Sequence, residues 1–394
     1  MNSRFSAIPL EQPVATARGR RNMSIGLPCC IDPSEKRFPF TPEGVAMLTD
    51  RGYAVKMEQG AGKPIHYTDM QYTRAGAALV SRAEALGCDM VMHLAPLPCS
   101  DIRLMKRGAI LFCLSNPERM DSGVLDTLLQ RGVTTVGVDM VSDEAGNKPF
   151  ADILAEIDGR AAMARAASLL ADAVHGKGIL LGGVAGLLPC EVMVIGSGIA
   201  ACAAARSAVG AGAVVRMFDS DMYSLRDATR LLGPGVIGSA MHPRSLAGAL
   251  ATADVVVYTG TTPALHIDSD LVATMKRGVI LFDLSGGNGK GFPSLPVVDL
   301  ASAFPVTLSP VEPTRVCYVN AGSSVPRTAA MALSNTFITL LSRIAGCEGF
   351  VNALKLLPGL RNAALTYSGK VVHRGVAETH GKRYVDINIY LTLS

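Results

Sequence analysis

Val192-Met-Val-Ile-Gly196-Ser-Gly198-Ile-Ala-Ala201-Cys-Ala-Ala-Ala205 joins an apolar strand to a helix through two glycines. Gly196 permits the tight turn, and Gly198 lets backbone approach a pyrophosphate held at the helix N-terminus. Ala201 allows the helix to pack close to the strand. A Gly-x-Gly-x-x-Ala spacing says little by itself, so its neighbourhood decides. A second strand, Ala213-Val-Val-Arg-Met-Phe218, ends in Asp219, 23 residues beyond Gly196. A carboxylate there accepts hydrogen bonds from ribose hydroxyls and repels a 2′-phosphate, which favours NAD over NADP. Arg216 lies within the strand and Arg226 further along, so neither is an obvious phosphate clamp. Gly196, Ser197, Gly198, Ile199 and Asp219 are the candidate cofactor-binding residues of this turn.

Outward from this unit the chain alternates short β-rich runs with helical stretches. Upstream, 24–27, 54–58, 90–94, 109–113 and 134–138 read as strands, and 42–51, 69–80 and 122–131 as helices. An alanine-rich helix at 151–175 has the length of a connection between two lobes. Downstream, strands are expected at 191–195, 214–219, 236–237, 254–258, 279–283 and 306–308, then a long apolar helix at 328–345 and a tail. Crossovers of this length imply parallel sheets covered on both faces. The 394 residues are two to three times a usual domain, and 49% apolar against 18% charged residues suffices for two cores. The predicted fold is therefore α/β, with two doubly wound parallel-sheet domains.

The formal charge of +4 is concentrated at one end. Residues 1–22 carry +3 of it through four arginines and one glutamate, leaving the other 372 nearly neutral. This stretch is expected to be a flexible extension. No basic stripe with interleaved aromatics is present, which sets nucleic acid aside. Nine cysteines are an odd number, without a Cys-x-x-Cys pair, and several sit in apolar runs. That usage fits buried thiols in a reducing cytoplasm and no zinc site. No charge-free apolar run reaches 18 residues and no signal-peptide core is present, so neither a membrane span nor export is expected.

The order of segments resembles the alanine dehydrogenase and pyridine nucleotide transhydrogenase superfamily. Gly26-Leu-Pro28 through Arg37-Phe-Pro-Phe-Thr41-Pro42 matches the family's opening strand and turn. Glu58-Gln-Gly-Ala-Gly62, His175-Gly-Lys-Gly178 through Gly182-Gly-Val-Ala-Gly186, Val325-Pro-Arg-Thr328 and Gly369-Lys-Val-Val-His373 match further motifs. The resemblance spans about residues 23–380. It implies a discontinuous Rossmann-like substrate lobe (23–150 and 328–394), a Rossmann dinucleotide lobe (151–327) with a substrate cleft between them, and hydride exchange between nicotinamide and an amino acid's α-carbon through an imine. It also implies a homo-oligomer.

Departures from the family pattern concentrate at the substrate. The lysine that ends a strand and contacts substrate in alanine dehydrogenases corresponds here to His93, in Met90-Val-Met-His93-Leu-Ala-Pro96. The family's acid–base histidine corresponds to Asn116, or to Ser115 if the alignment slips by one, in Phe112-Cys-Leu-Ser115-Asn116-Pro117. An aspartate near the nicotinamide is replaced around Gly287, and a Lys-Glu pair by Cys29-Cys30. Arg37 alone survives among the substrate-contacting residues, and its planar fork suits a carboxylate. Histidine titrates near neutrality without a large shift, so His93 is the candidate acid–base group, with Asn116 orienting the substrate carbonyl. Beside the cofactor, the resemblance adds Thr259 and Gly260, in Tyr258-Thr259-Gly260-Thr-Thr-Pro263, and Asn320, in the loop after Cys317-Tyr-Val. No histidines fall at metal-ligand spacing, and no metal is expected.

These residues support an NAD-dependent oxidoreductase acting on an amino acid, or on the imine of a 2-oxo acid, with a pocket unlike that of an ordinary alanine dehydrogenase. The alternative is a non-redox NAD(H)-binding protein: a sensor, a partner subunit, or a cyclodeaminase-like enzyme that returns its hydride.

Overall fold

The computed structural model describes residues 23–115, 120–261, 264–302 and 315–393. The N-terminal stretch 1–22, the expected strand 306–308 and Asn116 lie outside the described residues.

The strands in chain order are β1 Ser24–Leu27, β2 Ala54–Glu58, β3 Ala78–Val80, β4 Met90–Met92, β5 Ile110–Cys113, β6 Thr134–Gly137, β7 Glu191–Ile195, β8 Val214–Asp219, β9 Val236–Ala240, β10 Val255–Tyr258, β11 Ile280–Asp283, β12 Val297–Asp299, β13 Cys317–Val319, β14 Ala364–Tyr367 and β15 Lys370–Val371. They form two sheets. The first runs β15-β14-β6-β5-β4-β1-β2-β3 and the second β12-β13-β11-β10-β7-β8-β9. Every pairing is parallel except those of β14, which is antiparallel to both β6 and β15. Each sheet starts in its middle, builds outward on one side, then returns to the other side of its first strand. The strand order therefore reverses between β1 and β4, and again between β7 and β10, and a crevice opens beyond the strand ends at each reversal.

Local sequence explains most elements. The helix Pro42–Asp50 starts where Thr41 accepts a hydrogen bond from Gly44 N–H, with Pro42 at its first position. Thr68 with Gln71 and Ser81 with Glu84 form capping boxes on the next two helices. The helix Arg82–Leu86 packs directly over β1: a Cβ on Gly26 would lie 1.8 Å from the Ala85 carbonyl oxygen. Phe337, on the helix Pro326–Gly346, stacks against Phe40 and Phe150 with ring centroids 5.3 and 4.7 Å apart. That contact returns the C-terminal part of the chain to the core of the first sheet. No single helix among the described residues is long and apolar enough to cross a membrane, and nine residues of Pro326–Gly346 are buried, seven of them in this core.

Some elements differ from expectation. The run 69–80 is a helix, Asp69–Arg74, followed by strand β3. It is broken at Gly76, whose φ of +94° no continuing helix tolerates. The connecting helix is Pro149–Ala171; beyond it the Asp172 carboxylate accepts from the N–H groups of Val174 and His175 and turns the chain. Strands β3, β12, β13, β14 and β15, of two to four residues each, are not among the expected strands.

Candidate functional site

The second sheet's reversal point is made of backbone. Gly196 leaves β7 at φ +109°, and a Cβ there would lie 2.2 Å from Thr259 Oγ1 and 2.9 Å from the Gly260 carbonyl oxygen. Thr259 is fixed in turn, its N–H and Oγ1 both donating to the Ile195 carbonyl at 2.9 and 3.0 Å. Gly198 is different: nothing lies within 4 Å of where its Cβ would stand. It caps the helix Ile199–Gly210 without any side-chain hydrogen bond, so the first-turn N–H groups keep their capacity for an anion. Asp219 ends β8, almost fully buried. It accepts from Ser197 Oγ at 2.6 Å and from Asp221 N–H at 2.9 Å. The turn has the parts a dinucleotide requires: a strained glycine, an open glycine, an uncapped helix start and a held carboxylate.

The first sheet's reversal point is made of side chains. His93 follows β4 and is only 4% exposed. Its Nδ1 lies 2.6 Å from the Ala95 carbonyl oxygen, which can only accept, so that nitrogen carries the proton. Nε2 is buried without a partner among the described residues. Burial pushes the His93 pKa below its ordinary value and the Arg82 charge pushes the same way, against the carbonyls of Ala95 and Cys29. The imidazole is thus held neutral, a proton acceptor rather than the near-neutral acid expected from an unshifted histidine.

Beside it, Arg82 gives Nε and Nη2 to the Asp101 carboxylate. It gives Nη1 to Glu58 Oε2 at 2.9 Å and to the Cys29 carbonyl at 3.0 Å. Glu58 Oε2 also accepts from Cys29 N–H at 2.7 Å, so the Cys29 residue is gripped at both ends. Burial, then the Glu58 charge, raises the Cys29 thiol to about 11; burial does the same to Cys30. Both remain protonated thiols. Sequence reasoning missed this network, because its members are 19 to 53 residues apart and carry no local signature. Ser115 is held through its N–H and hydroxyl by Asp139.

A third group joins the loop after β1 to the loop after β13. Arg37 turns its fork onto Glu35: Nε reaches Oε1 at 2.8 Å and Nη2 reaches Oε2 at 2.5 Å. The pair is nearly buried, and this bidentate face is not open to a substrate carboxylate. Asn320, at φ +59°, donates through Nδ2 to the Ser34 carbonyl at 2.5 Å and to the Asp299 carboxylate at 3.2 Å. It ties the loop after β13 to the loop after β1. Asp158, on the helix Pro149–Ala171, accepts from Gly322 N–H at 2.6 Å. Sequence reasoning did not single out Glu35 or Asp158. Among the described residues no three His, Cys, Asp or Glu side chains gather as a metal site.

Two family models match the chain: the N-terminal domain of alanine dehydrogenase/PNT over residues 26–157, and the C-terminal domain over 162–374. The alanine dehydrogenase of Mycobacterium tuberculosis is 30% identical over 371 residues, covering 92% of this chain and 98% of its own. That of Staphylococcus saprophyticus is 28% identical over 373 residues, covering 93% and 99%. A solved L-alanine dehydrogenase superposes with a TM-score of 0.80 at 25% identity, over 91% of this chain and 99% of that one. A transhydrogenase from Sinorhizobium meliloti shares the fold, with a TM-score of 0.72 at 22% identity over 89% and 99%. With both models matched in order along nearly the whole described chain, the protein belongs to the alanine dehydrogenase and pyridine nucleotide transhydrogenase family.

Proposed function

We propose that the protein is an NAD-dependent oxidoreductase that exchanges a hydride with the α-carbon of an amino acid, or with the imine formed from a 2-oxo acid and an amine. The observation that carries this reading is the pair of glycines at the β7 reversal. Gly196 is required by its neighbours, whereas Gly198 stands exposed at the helix start with no protein atom near its Cβ position, which leaves a pyrophosphate room to approach the backbone. Gly198, Ser197 and Ile199 hold the pyrophosphate by backbone N–H groups, and Asp219 accepts from the adenosine ribose. Thr259, Gly260 and Asn320 border the path toward the nicotinamide. A bound nicotinamide supplies the hydride acceptor; the chain's own residues position the substrate and move its proton.

On this reading the first sheet, with 23–150 and 328–394, forms the substrate lobe, and 151–327 the cofactor lobe. The substrate meets a neutral His93, a thiol pair and an Arg37 already paired with Glu35, a setting unlike a lysine-lined pocket for a small amino acid. A wider substrate, or a secondary amine of the opine or saccharopine kind, fits such a pocket. The segment 174–188 leaves Leu188 96% exposed and Leu180, Leu187 and Val174 largely so, which supports self-association through this stretch. The test is NADH oxidation with a panel of 2-oxo acids, each given ammonia or an amino-acid donor. Turnover with any of them is the expected result, and the preferred donor separates the two imine classes. Silence across the panel with NADH binding intact overturns the reading in favour of a non-redox NAD(H)-binding protein.

A further inference from the structure

Asp158 is an acidic side chain for which neither the core nor the cofactor turn has a use. It sits on the helix that links the two sheets, half-buried, where the loop after β1 meets the loop after β13. Its Oδ1 is fixed by Gly322 N–H at 2.6 Å. A Cβ on Gly322 would lie 2.4 Å from that oxygen, so only glycine lets the carboxylate approach so closely. Its Oδ2 accepts no hydrogen bond from a described residue. The cation whose charge acts on it is Arg37, whose Nε and Nη2 already serve Glu35. One guanidinium thus faces two carboxylates, and the group keeps a net negative charge at the place where the lobes meet. A carboxylate oxygen with no protein donor, in a group of surplus negative charge, suits a cationic donor.

We propose that Asp158 binds the substrate's ammonium group through Oδ2 and takes its proton, leaving a neutral amine whose lone pair forms the C=N bond as the α-carbon gives up its hydride. One N–H bond breaks and one O–H bond forms at Asp158. The electron pair of the C–H bond leaves with the hydride, and the product is the iminium of the 2-oxo acid. This rests on the oxidoreductase reading above and deepens it: the substrate is taken as the amine cation, and the proton acceptor lies on the linking helix. Burial raises the Asp158 pKa above the ordinary carboxylate value, while Arg37 and the Gly322 N–H pull it down. The net rise makes it a better base than an exposed aspartate.

Asp158→Asn tests this, because the amide oxygen can still accept from Gly322 N–H while charge and proton acceptance are lost. The substrate used is the amino acid that wild type oxidises. The variant is expected to keep its urea midpoint and NADH affinity, to lose about 100-fold in kcat, to raise KM about tenfold, and to lose the acidic limb of the kcat/KM profile. Turnover within about threefold of wild type, with the acidic limb intact, overturns the proposal while leaving the oxidoreductase reading standing. Should wild type turn over no amino acid and no 2-oxo acid with ammonia or an amino-acid donor, that reading fails by itself. Calorimetry of the same amino acids with the NADH-loaded protein then decides the ammonium contact. Binding weakened at least tenfold in Asp158→Asn supports it, and equal binding or none overturns it.

Discussion

The two reversal points share one topology and divide the labour differently. After β7 the crevice is lined by backbone: Gly196 pressed against Thr259, Gly198 open, and a helix start without a side-chain cap. After β1 and β4 it is lined by ionised and polar side chains, with Arg82 spanning Asp101, Glu58 and the Cys29 carbonyl around a buried His93. Topology provides a crevice in both sheets; residue type decides what each can hold. Backbone N–H groups suit a phosphate group that every dinucleotide shares, whereas a side-chain network suits one substrate and changes with it.

The largest predicted effect breaks the backbone half. In Gly196→Val a β-branched residue must adopt φ +109° and meet Thr259. We expect NADH affinity to fall at least about 100-fold and folding stability by about 1–3 kcal/mol, read by calorimetry and urea denaturation. Next, Arg82→Met breaks the side-chain half by leaving the buried Asp101 unpaired. A stability loss of about 3 kcal/mol in urea, with NADH affinity unchanged, is the expected outcome. Equal loss of NADH affinity would mean that the two crevices are not separable.

Gly198→Ala sharpens the comparison within the turn itself. Its Cβ meets no protein atom, so the urea midpoint should hold within about 0.5 kcal/mol, while NADH binding weakens by about tenfold. A variant that binds NADH normally would empty Gly198 of its assigned role. The smallest effect is a slope. His93 is held below its ordinary value of 6.5 by burial, so the unfolded chain takes up its proton first as pH falls. Stability contributed by the neutral ring is complete above about pH 6.5 and is lost below it. His93→Phe should flatten the pH dependence of the urea midpoint below about pH 6.5, and an unchanged slope would contradict a depressed pKa.

The same division explains what could be read in advance. The Gly196 turn, Asp219 and the alternation of strands and helices are local patterns, and chain order alone places them. The positions of Arg37 and His93 were also readable, but their states were not. Whether Arg37 presents a free fork depends on Glu35 turning back onto it, and His93's ionisation depends on its burial and on Arg82. Asp158 escaped notice because an acidic residue within an alanine-rich helix looks like a solvated face. Only the return of the chain to Gly322, 164 residues later, brings it to the junction of two loops.

On the proposed reading the two crevices cooperate in moving a hydride from an amino acid's α-carbon. Incubating the protein with NAD and amino acids deuterated at that carbon, then weighing the recovered dinucleotide by mass spectrometry, tests it most directly. The account predicts NADH heavier by one deuterium with at least one amino acid. Unlabelled, unreduced NAD across the whole set, from a protein shown to bind it, would contradict the claim.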